Sequence, residues 1–414
     1  MVRKRCLLWG AVVAAATVLA AACSSSSGGD KGDTTAAPKK SITIGVLTDV
    51  TGPASSGNKT FVDGVKAGTY YASRNGYTVK YVLADTATNP ATALAAAQKL
   101  VTQDHVSAVL AESAILFTAS NYLTAHNVPV IGVSQDGPEW TTAKNMFSVV
   151  GPLQQTKIAT TNGKLYKLLG ITNLASLGYG VSPVSSESAS SAALSAQVAG
   201  IKVGYLNAKF PFGSTDVGPE VLAMKNAGID GLTASVDPNT SFALITGLRN
   251  QNVPMKASIL PTGYGGDLLQ AGPGALNQAQ GVYFILQYEP VEMHTAATKQ
   301  LQADFTSAAI TTAPTYGSYN GYVSVGLLVR ALKAAGAQPT SASLIGALSN
   351  IHDWDAMGLF GSHTVDINDR VTIVGGADNC LWVTKLTGKT FTLVSGATPI
   401  CGELVPGKSV APAS

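Results

Sequence analysis

The chain has 414 residues, enough for two domains, and its 27 Lys+Arg and 24 Asp+Glu give a net charge of +3. The surplus is carried by Arg3, Lys4 and Arg5, so the rest of the chain is electrically balanced. A balanced chain without basic patches argues against nucleic-acid binding, and we expect no nucleic-acid partner. The low charged fraction of 12% and the abundant Gly, Ala and Val are typical of layered α/β proteins.

Residues 1–22 predict a lipoprotein signal peptide. The basic head precedes the apolar run 7–22, which at about 16 residues is shorter than the roughly 20 that span a bilayer. Ala20-Ala21-Ala22-Cys23 resembles the lipobox of bacterial lipoproteins, which implies cleavage before Cys23 and lipid on its sulfur. The alternative is an ordinary secretory peptide that ends near a cysteine. Residues 23–40, rich in Ser, Gly and Thr, are expected to form the lipidated N-terminus and a flexible tether.

Two series of strands and helices follow. Alternating apolar residues predict strands at 42–46 and 79–83, and apolar runs predict buried parallel strands at 106–110 and 128–133. Between them, Pro90 opens a segment with one apolar face, which predicts a helix. Further strands are predicted at 174–177, 203–206, 231–236, 258–260 and 282–286, a helix at 319–335, and β-rich segments at 371–374, 381–386 and 391–394. The pattern predicts an α/β protein with two doubly wound α/β lobes.

Cysteine usage is consistent with an oxidising compartment. Cys6 belongs to the predicted signal peptide and Cys23 to the lipid anchor, so Cys380 and Cys401 remain as an even pair. We therefore expect a disulfide between Cys380 and Cys401.

Four segments in order resemble the leucine-type, branched-chain amino acid substrate-binding proteins of ABC importers. They are SITIGVLTDVTGPAS (41–55), DTATNPATALAAAQKLV (85–101), VSAVLAESAILFTASNYLTAHNVPVIGVS (106–134) and YGSYNGYVSVGLLVRAL (316–332). The resemblance covers nearly all of 41–405. It implies the type I periplasmic-binding-protein fold, in which two lobes are joined by a three-crossing hinge with the ligand cleft between them.

The resemblance also sets the expected lobe boundaries. Lobe 1 would comprise 41–151 and 290–352, and lobe 2 would comprise 152–289 and 353–405. The hinge crossings would lie near Gly151-Pro152, 287–290 and 352–357, and 406–414 would form a tail.

The same resemblance implies an extracytoplasmic solute receptor. It would capture a small polar solute, an amino acid or another small carboxylate, by lobe closure and deliver it to ABC permease and ATPase subunits. We expect a monomer that is anchored to the bacterial cell membrane by lipid on Cys23. The alternative is a sensor of the same fold that acts on a signalling partner.

Candidate ligand contacts in the first lobe follow two strands. Ser113 lies after the strand 106–110 and before a helix expected over 114–126, where free amides bind anions. The resemblance assigns the Ser113 hydroxyl to a ligand carboxylate; a simple helix cap is the alternative. After the next strand, Ser134 and Asp136 match positions that hold the ligand's amino group. Asp136 could bind an ammonium through charge-assisted hydrogen bonds, or could serve only as a turn residue before Gly137.

Elsewhere the sequence departs from the pattern of the family. Ser56 stands where an aromatic residue is usual, Thr262 stands where an acidic residue is usual, and Tyr179 lies close to the position of a second-lobe tyrosine. These departures weaken the case for a branched-chain amino acid as the solute. The aromatic residues that could line the cleft or pack in the core are Phe117, Trp140, Tyr179 and Tyr264.

No motif of the chain predicts catalysis. The segment GVSQD at 132–136 lacks the second glycine of the G-x-S-x-G nucleophile motif, and the five histidines lack H-x-x-x-H spacing. The segment DINDR at 366–370 breaks the pattern of a calcium loop. We therefore expect a protein that is not an enzyme and that needs no metal and no cofactor.

Overall fold

The computed structural model describes residues 40–270 and 273–413. The predicted signal peptide, Cys23 and nearly all of the tether lie outside these described residues. Among the described helices, none combines the length and the apolar character needed to span a membrane.

The secondary structure is mixed and follows the predicted alternation. The strands are β1 (Lys40–Thr48), β2 (Tyr77–Asp85), β3 (Val109–Glu112), β4 (Val130–Gly132), β5 (Met146–Ser148), β6 (Lys157–Ala159), β7 (Asn173–Tyr179), β8 (Lys202–Phe210), β9 (Gly231–Ser235), β10 (Ala257–Leu260), β11 (Tyr283–Leu286), β12 (Cys380–Thr387), β13 (Thr390–Leu393), β14 (Ile400–Cys401) and β15 (Leu404–Ser409). The helices are α1 (Ser55–Asn58), α2 (Phe61–Arg74), α3 (Pro90–Thr102), α4 (Phe117–Ala125), α5 (Glu139–Thr142), α6 (Thr160–Leu168), α7 (Pro183–Val198), α8 (Gly218–Ala227), α9 (Pro238–Asn250), α10 (Gly266–Gln270), α11 (Pro273–Gln278), α12 (Ala296–Ser307), α13 (Tyr316–Ala334) and α14 (Ser341–Leu348).

The first lobe is built on a parallel sheet of strand order β2-β1-β3-β4-β5. Its central strands β3 and β4 are completely buried, because helices cover both faces of the sheet. Helix α13 is buried along nearly its whole length and packs on α2. At Gly64 an added Cβ would lie 2.0 Å from the carbonyl oxygen of Ser318, so glycine allows the two helix backbones to touch.

The second lobe is built on a larger sheet of order β13-β12-β11-β10-β9-β7-β8. Strands β7 to β11 pair in parallel, whereas β12 and β13 join as an antiparallel edge. Strand β14 pairs with β12 and brings Cys401 opposite Cys380, and a disulfide joins the two residues. Strand β15 pairs with β6, so the segment expected to be a tail from residue 406 begins in a strand.

The chain passes between the sheets after β5, after β11 and before β12. These passages run side by side: Trp354 Nε1 donates to the carbonyl oxygen of Val149 (3.1 Å), and the Glu289 amide donates to that of Leu359 (2.7 Å). The predicted two-lobed α/β fold is thus confirmed. The residue boundaries of the lobes stay a prediction.

Several predicted elements differ from the structure. The strand expected at 106–110 begins only at Val109 and ends at Glu112. The segment 371–374 was expected to be β-rich, but it forms turns because Asp369 Oδ1 accepts the amides of Val371 and Thr372, both at 2.9 Å. The helix expected from residue 114 begins at Phe117, and residues 114–116 form a turn before it.

Candidate ligand-binding site

A cavity of about 250 Å³ lies between the two lobes. Residues one to three positions beyond the ends of β4, β9, β10 and β11 contribute to its lining, together with Tyr179 at the end of β7 and Ala114 beyond β3. The cavity therefore lies at the carboxyl ends of the strands of both sheets, which is where open α/β sheets bind ligands.

The lining is rich in hydroxyl and amide groups. Among the described residues that line the cavity, Asp237 is the one with a charged side chain, and none is Lys, Arg or His. Two lining residues carry a buried polar oxygen without a hydrogen-bond partner in the described part of the chain, namely Ser134 (Oγ) and Gln287 (Oε1). An unpaired buried oxygen is unfavourable, so these two groups are suited to be completed by a bound solute.

Asp237 is the N-cap of α9. It accepts hydrogen bonds from the amides of Asn239 (2.9 Å) and Thr240 (3.2 Å), and Pro238 occupies the first helical position. The carboxylate also accepts a hydrogen bond from the Tyr179 hydroxyl. Asp237 was missed from the sequence, although an Asp-Pro pair directly after a predicted strand was a usable signal for a cap at this edge.

Tyr179, for which both the cleft and the core were possible places, lines the cavity, and contact with a solute stays a prediction. Its ring packs edge-on against Phe212, with centroids 4.9 Å apart, and both residues line the cavity. Burial, and then the neighbouring Asp237 carboxylate, raise the pKa of the Tyr179 phenol, so it remains a hydrogen-bond donor at neutral pH.

Helix α7 presents a row of serines to the cavity. They are Ser182, the N-cap of α7, and Ser185, Ser188 and Ser191 within the helix, spaced three apart so that each is close to the next. Ser188 Oγ lies 2.9 Å from Ser235 Oγ, and Ser191 Oγ donates to the carbonyl oxygen of Ser188 (3.0 Å). We call these four residues the serine face. The spacing of three was visible in the sequence, but it was not connected with the cleft.

Ser113 lies behind the cavity wall. It is 1% exposed, and its hydroxyl donates to Asp49 Oδ1 (2.8 Å). The adjacent Ala114 amide, which would also face an anion, donates to Asp49 Oδ2 (2.9 Å). Ala114 lines the cavity and Ser113 does not. The structure thus pairs the Ser113 hydroxyl with a carboxylate of the protein, whereas the expected partner was a carboxylate of the ligand.

Asp136 is likewise turned inward. It is fully buried and accepts from the Phe117 amide at the start of α4 and from Trp140 Nε1, both at 2.8 Å. Burial raises the pKa of Asp136 to about 6. The neighbouring Glu139 is also buried, and its burial together with the Asp136 charge raises the pKa of Glu139 to about 10. Asp136 and Trp140 do not line the cavity.

The remaining predicted contacts divide between cavity, groove and core. Thr262 lines the cavity, and its hydroxyl donates to the carbonyl oxygen of Val236 (3.2 Å). Ser56 lies in a neighbouring groove between the lobes, where its hydroxyl donates to Asp237 (3.4 Å). Tyr264 is buried in the core, with its hydroxyl on Glu292 Oε2 (2.6 Å) and its ring against Phe391. Phe117 also lies outside the cavity lining.

One cluster of potential metal ligands occurs in the described part of the chain. It consists of His363, Cys380 and Cys401, none of which lines the cavity. The two sulfur atoms are bonded to each other, so neither is available as a thiolate ligand.

A family model of periplasmic binding proteins matches residues 41–390. The chain belongs to the periplasmic binding protein family. Members of this family bind small molecules and work with ABC transporters, and the family is one of binding proteins rather than enzymes. No curated protein matches the chain as a relative.

Solved structures share the fold of this periplasmic binding protein at low sequence identity. A possible leucine/isoleucine/valine-binding protein from Rhodopirellula baltica is 15% identical, with a TM-score of 0.70 over 88% of this chain and 98% of its own. A solute-binding protein of an ABC transporter from R. palustris, in complex with 4-hydroxybenzoate, is 17% identical, with a TM-score of 0.66 over 91% and 98%. The branched-chain amino acid transporter substrate-binding protein from Streptococcus pneumoniae, in complex with isoleucine, is 18% identical, with a TM-score of 0.69 over 88% and 99%.

Proposed function

We propose that this protein is the extracytoplasmic solute receptor of an ABC importer. It captures a small polar solute, an amino acid or another small carboxylate, in the cavity between its lobes. The observation that carries the proposal is the position of that cavity at the carboxyl ends of both sheets, with the partnerless oxygens of Ser134 and Gln287 in its lining. The solutes of the structural neighbours, isoleucine and 4-hydroxybenzoate, are of the proposed size and polarity.

Contacts between the lobes suit capture by closure. The Val184 amide of α7 and the hydroxyl of Ser182, the N-cap of α7, both donate to the carbonyl oxygen of Asp136 in the first lobe, each at 3.3 Å. Ser56 and Asp237 make a further contact across the same cleft. These few polar contacts can form and break as the lobes rotate about the three passages.

The proposed location is the outer face of the bacterial cell membrane. A signal peptide over residues 1–22 would direct export, and lipid on Cys23 would hold the monomer beside its permease and ATPase partners. Replacing Cys23→Ala should move the protein from the membrane fraction to the soluble fraction. A mature N-terminus without lipid in native membranes would contradict the anchor.

The binding function is tested by a thermal-shift screen of amino acids, aromatic acids, keto acids, amides and amines against the mature chain. A solute that binds the folded state raises Tm, by the equivalent of about 2.7 kcal/mol at a hundredfold excess over Kd. Solution scattering with the best compound should show a smaller radius of gyration than without it. The absence of any stabilising compound in such a screen would contradict the proposal.

A further inference from the structure

We propose that Asp49 fills the place that a solute carboxylate would take beside Ser113, so that the cavity selects solutes of zero or positive net charge. The inference rests on the proposed function, since it names the class of solute that the receptor takes. Asp49 would then be a specificity-determining residue that acts without touching the solute.

The Asp49 carboxylate is satisfied by four donors. Besides Ser113 Oγ and the Ala114 amide, it accepts from Asn58 Nδ2 (2.7 Å) and from the Thr86 hydroxyl. Asp49 is fully buried, whereas Asn58 and Ala114 line the cavity. The carboxylate therefore lies directly behind the cavity wall and uses the donors that a solute anion would need.

In three helices that begin near the cavity, amides of the first turn that could bind an anion already donate to oxygen atoms of the protein. Asp136 accepts the first amide of α4, Asp237 accepts two amides of α9, and the Ser182 hydroxyl accepts an amide of α7. Helix starts are the usual anion-binding positions of such folds. Here two of the three acceptors are carboxylates of the protein, which repel a further anion.

The charge of the lining points the same way. Asp237 is its charged residue, and among the described lining residues no cationic side chain balances it. Burying an anion without a cation is strongly unfavourable, whereas an ammonium or amide donor would find acceptors in Asp237 and in Gln287 Oε1. Of the two classes of solute proposed above, a zwitterionic amino acid satisfies this rule, whereas a small carboxylate with net negative charge does not, so the inference narrows the proposed function to the first class.

An anion could still bind at the start of α6. The start of α6 borders the cavity through Thr161 and Asn162 and has no side-chain cap. Its first amide, that of Thr160, already donates to the carbonyl oxygen of Glu403 (2.9 Å). An anionic solute bound at this helix start would overturn the inference.

The first test uses the unmodified protein and sets of compounds within the screen that are similar in shape but differ in net charge. One set is 4-hydroxybenzoate, 4-hydroxybenzamide and 4-hydroxybenzylamine; another is 4-methylpentanoate, leucine and leucinamide. Within any set that binds, we expect the anion to bind at least tenfold more weakly than its neutral, zwitterionic or cationic counterpart. Anions as the tightest ligands would overturn the inference and leave the receptor function standing. No stabilising compound of any charge would overturn both.

The second test removes the internal carboxylate. Asp49→Ala leaves its donors unpaired, so acetate at tens of millimolar should raise Tm of this variant by several degrees. Acetate should leave the unmodified protein unchanged. The matched control is Asp85→Ala, because Asp85 accepts the amides of Val50 (3.0 Å) and Ala87 (2.8 Å) near the same sheet edge but lies nearer to solvent. An equal effect of acetate on all three proteins, or none on Asp49→Ala, would contradict the role of Asp49. If Asp49→Ala does not fold, the comparison of affinities within the sets of compounds that differ in charge decides the inference alone.

Discussion

The two walls of the cavity use their polar groups differently. In the first lobe, Ser113 and Asp136 are buried and paired within the protein, through Asp49 and through the start of α4. In the second lobe, Tyr179, Asp237 and the serine face line the cavity itself. The polar residues on the first-lobe side thus mainly stabilise the fold, and Ser134, whose hydroxyl has no partner in the described chain, is an exception. The second wall supplies most of the groups that a solute can meet.

The largest expected effect concerns the buried carboxyl beside Asp136. Because the pKa of Glu139 is raised from 4.5 to about 10, the folded protein retains a proton that the unfolded chain loses, and stability falls as pH rises from about 4.5. Glu139→Gln should abolish this loss, so that its stability relative to the parent grows with pH by at most about 1.4 kcal/mol per pH unit. Urea unfolding at pH 5 and pH 8 measures the difference. Glu403→Gln, at an exposed site, is the control, and equal pH dependence of all three proteins would refute this account of the first wall.

The second prediction concerns the contribution of the disulfide in the second lobe to the free energy of unfolding. The Cys380→Ala/Cys401→Ala double variant opens a loop closed over a separation of 21 residues, which should lower the free energy of unfolding by about 3 kcal/mol. Reduction of the unmodified protein should give a similar loss in the same urea titration. A double variant as stable as the parent, or two free thiols per unreduced chain, would be inconsistent with the bond.

A pair of serine variants distinguishes a side chain that stabilises the fold, Ser113, from one that binds the solute, Ser134. Ser113→Ala removes a hydrogen bond to the Asp49 carboxylate and should cost about 1.5–3 kcal/mol of stability, with solute affinity changed less than twofold. Ser134→Ala removes a hydroxyl that has no partner in the described chain, so it should leave stability within about 0.5 kcal/mol and weaken solute binding. Urea unfolding and calorimetric titration distinguish the two. If Ser113→Ala weakens binding and preserves stability, Ser113 touches the solute after all.

The smallest expected effect concerns the serine face. Ser191→Ala should weaken solute binding about two- to tenfold, the equivalent of one neutral hydrogen bond. Ser190→Ala is the matched control, because its hydroxyl also donates to a backbone carbonyl of α7 but lies outside the cavity lining. Equal affinity of both variants for the solute would contradict a contact between the solute and the serine face of α7.

Local patterns in the sequence predicted most of the fold. The strands around 42–46, 79–83 and 282–286 and the helix opened by Pro90 are confirmed, because alternation and capping act over a few residues. The short strand β6 and its partner β15 were missed, since they form by pairing across more than two hundred residues and carry no strong pattern of their own.

The site was harder to predict because a resemblance identifies residues without their partners. Ser113 was expected to hold a carboxylate, and only the folded chain brings Asp49, 64 residues away, onto its hydroxyl. Tyr264 is an aromatic candidate for the cleft by its position in the sequence. In the structure it is buried in the core, because its hydroxyl bonds to Glu292 and its ring packs against Phe391. The resemblance places the acidic residue one strand later, at Thr262, and therefore gives no indication of Asp237.

The most direct test of the central claim is a crystal structure of the protein with the compound that raises its Tm most. The account predicts that compound between the lobes, within hydrogen-bond distance of Ser134 or Gln287 and of the second-lobe wall at Asp237. A compound bound outside this cavity, for example in the groove beside Ser56, would contradict it.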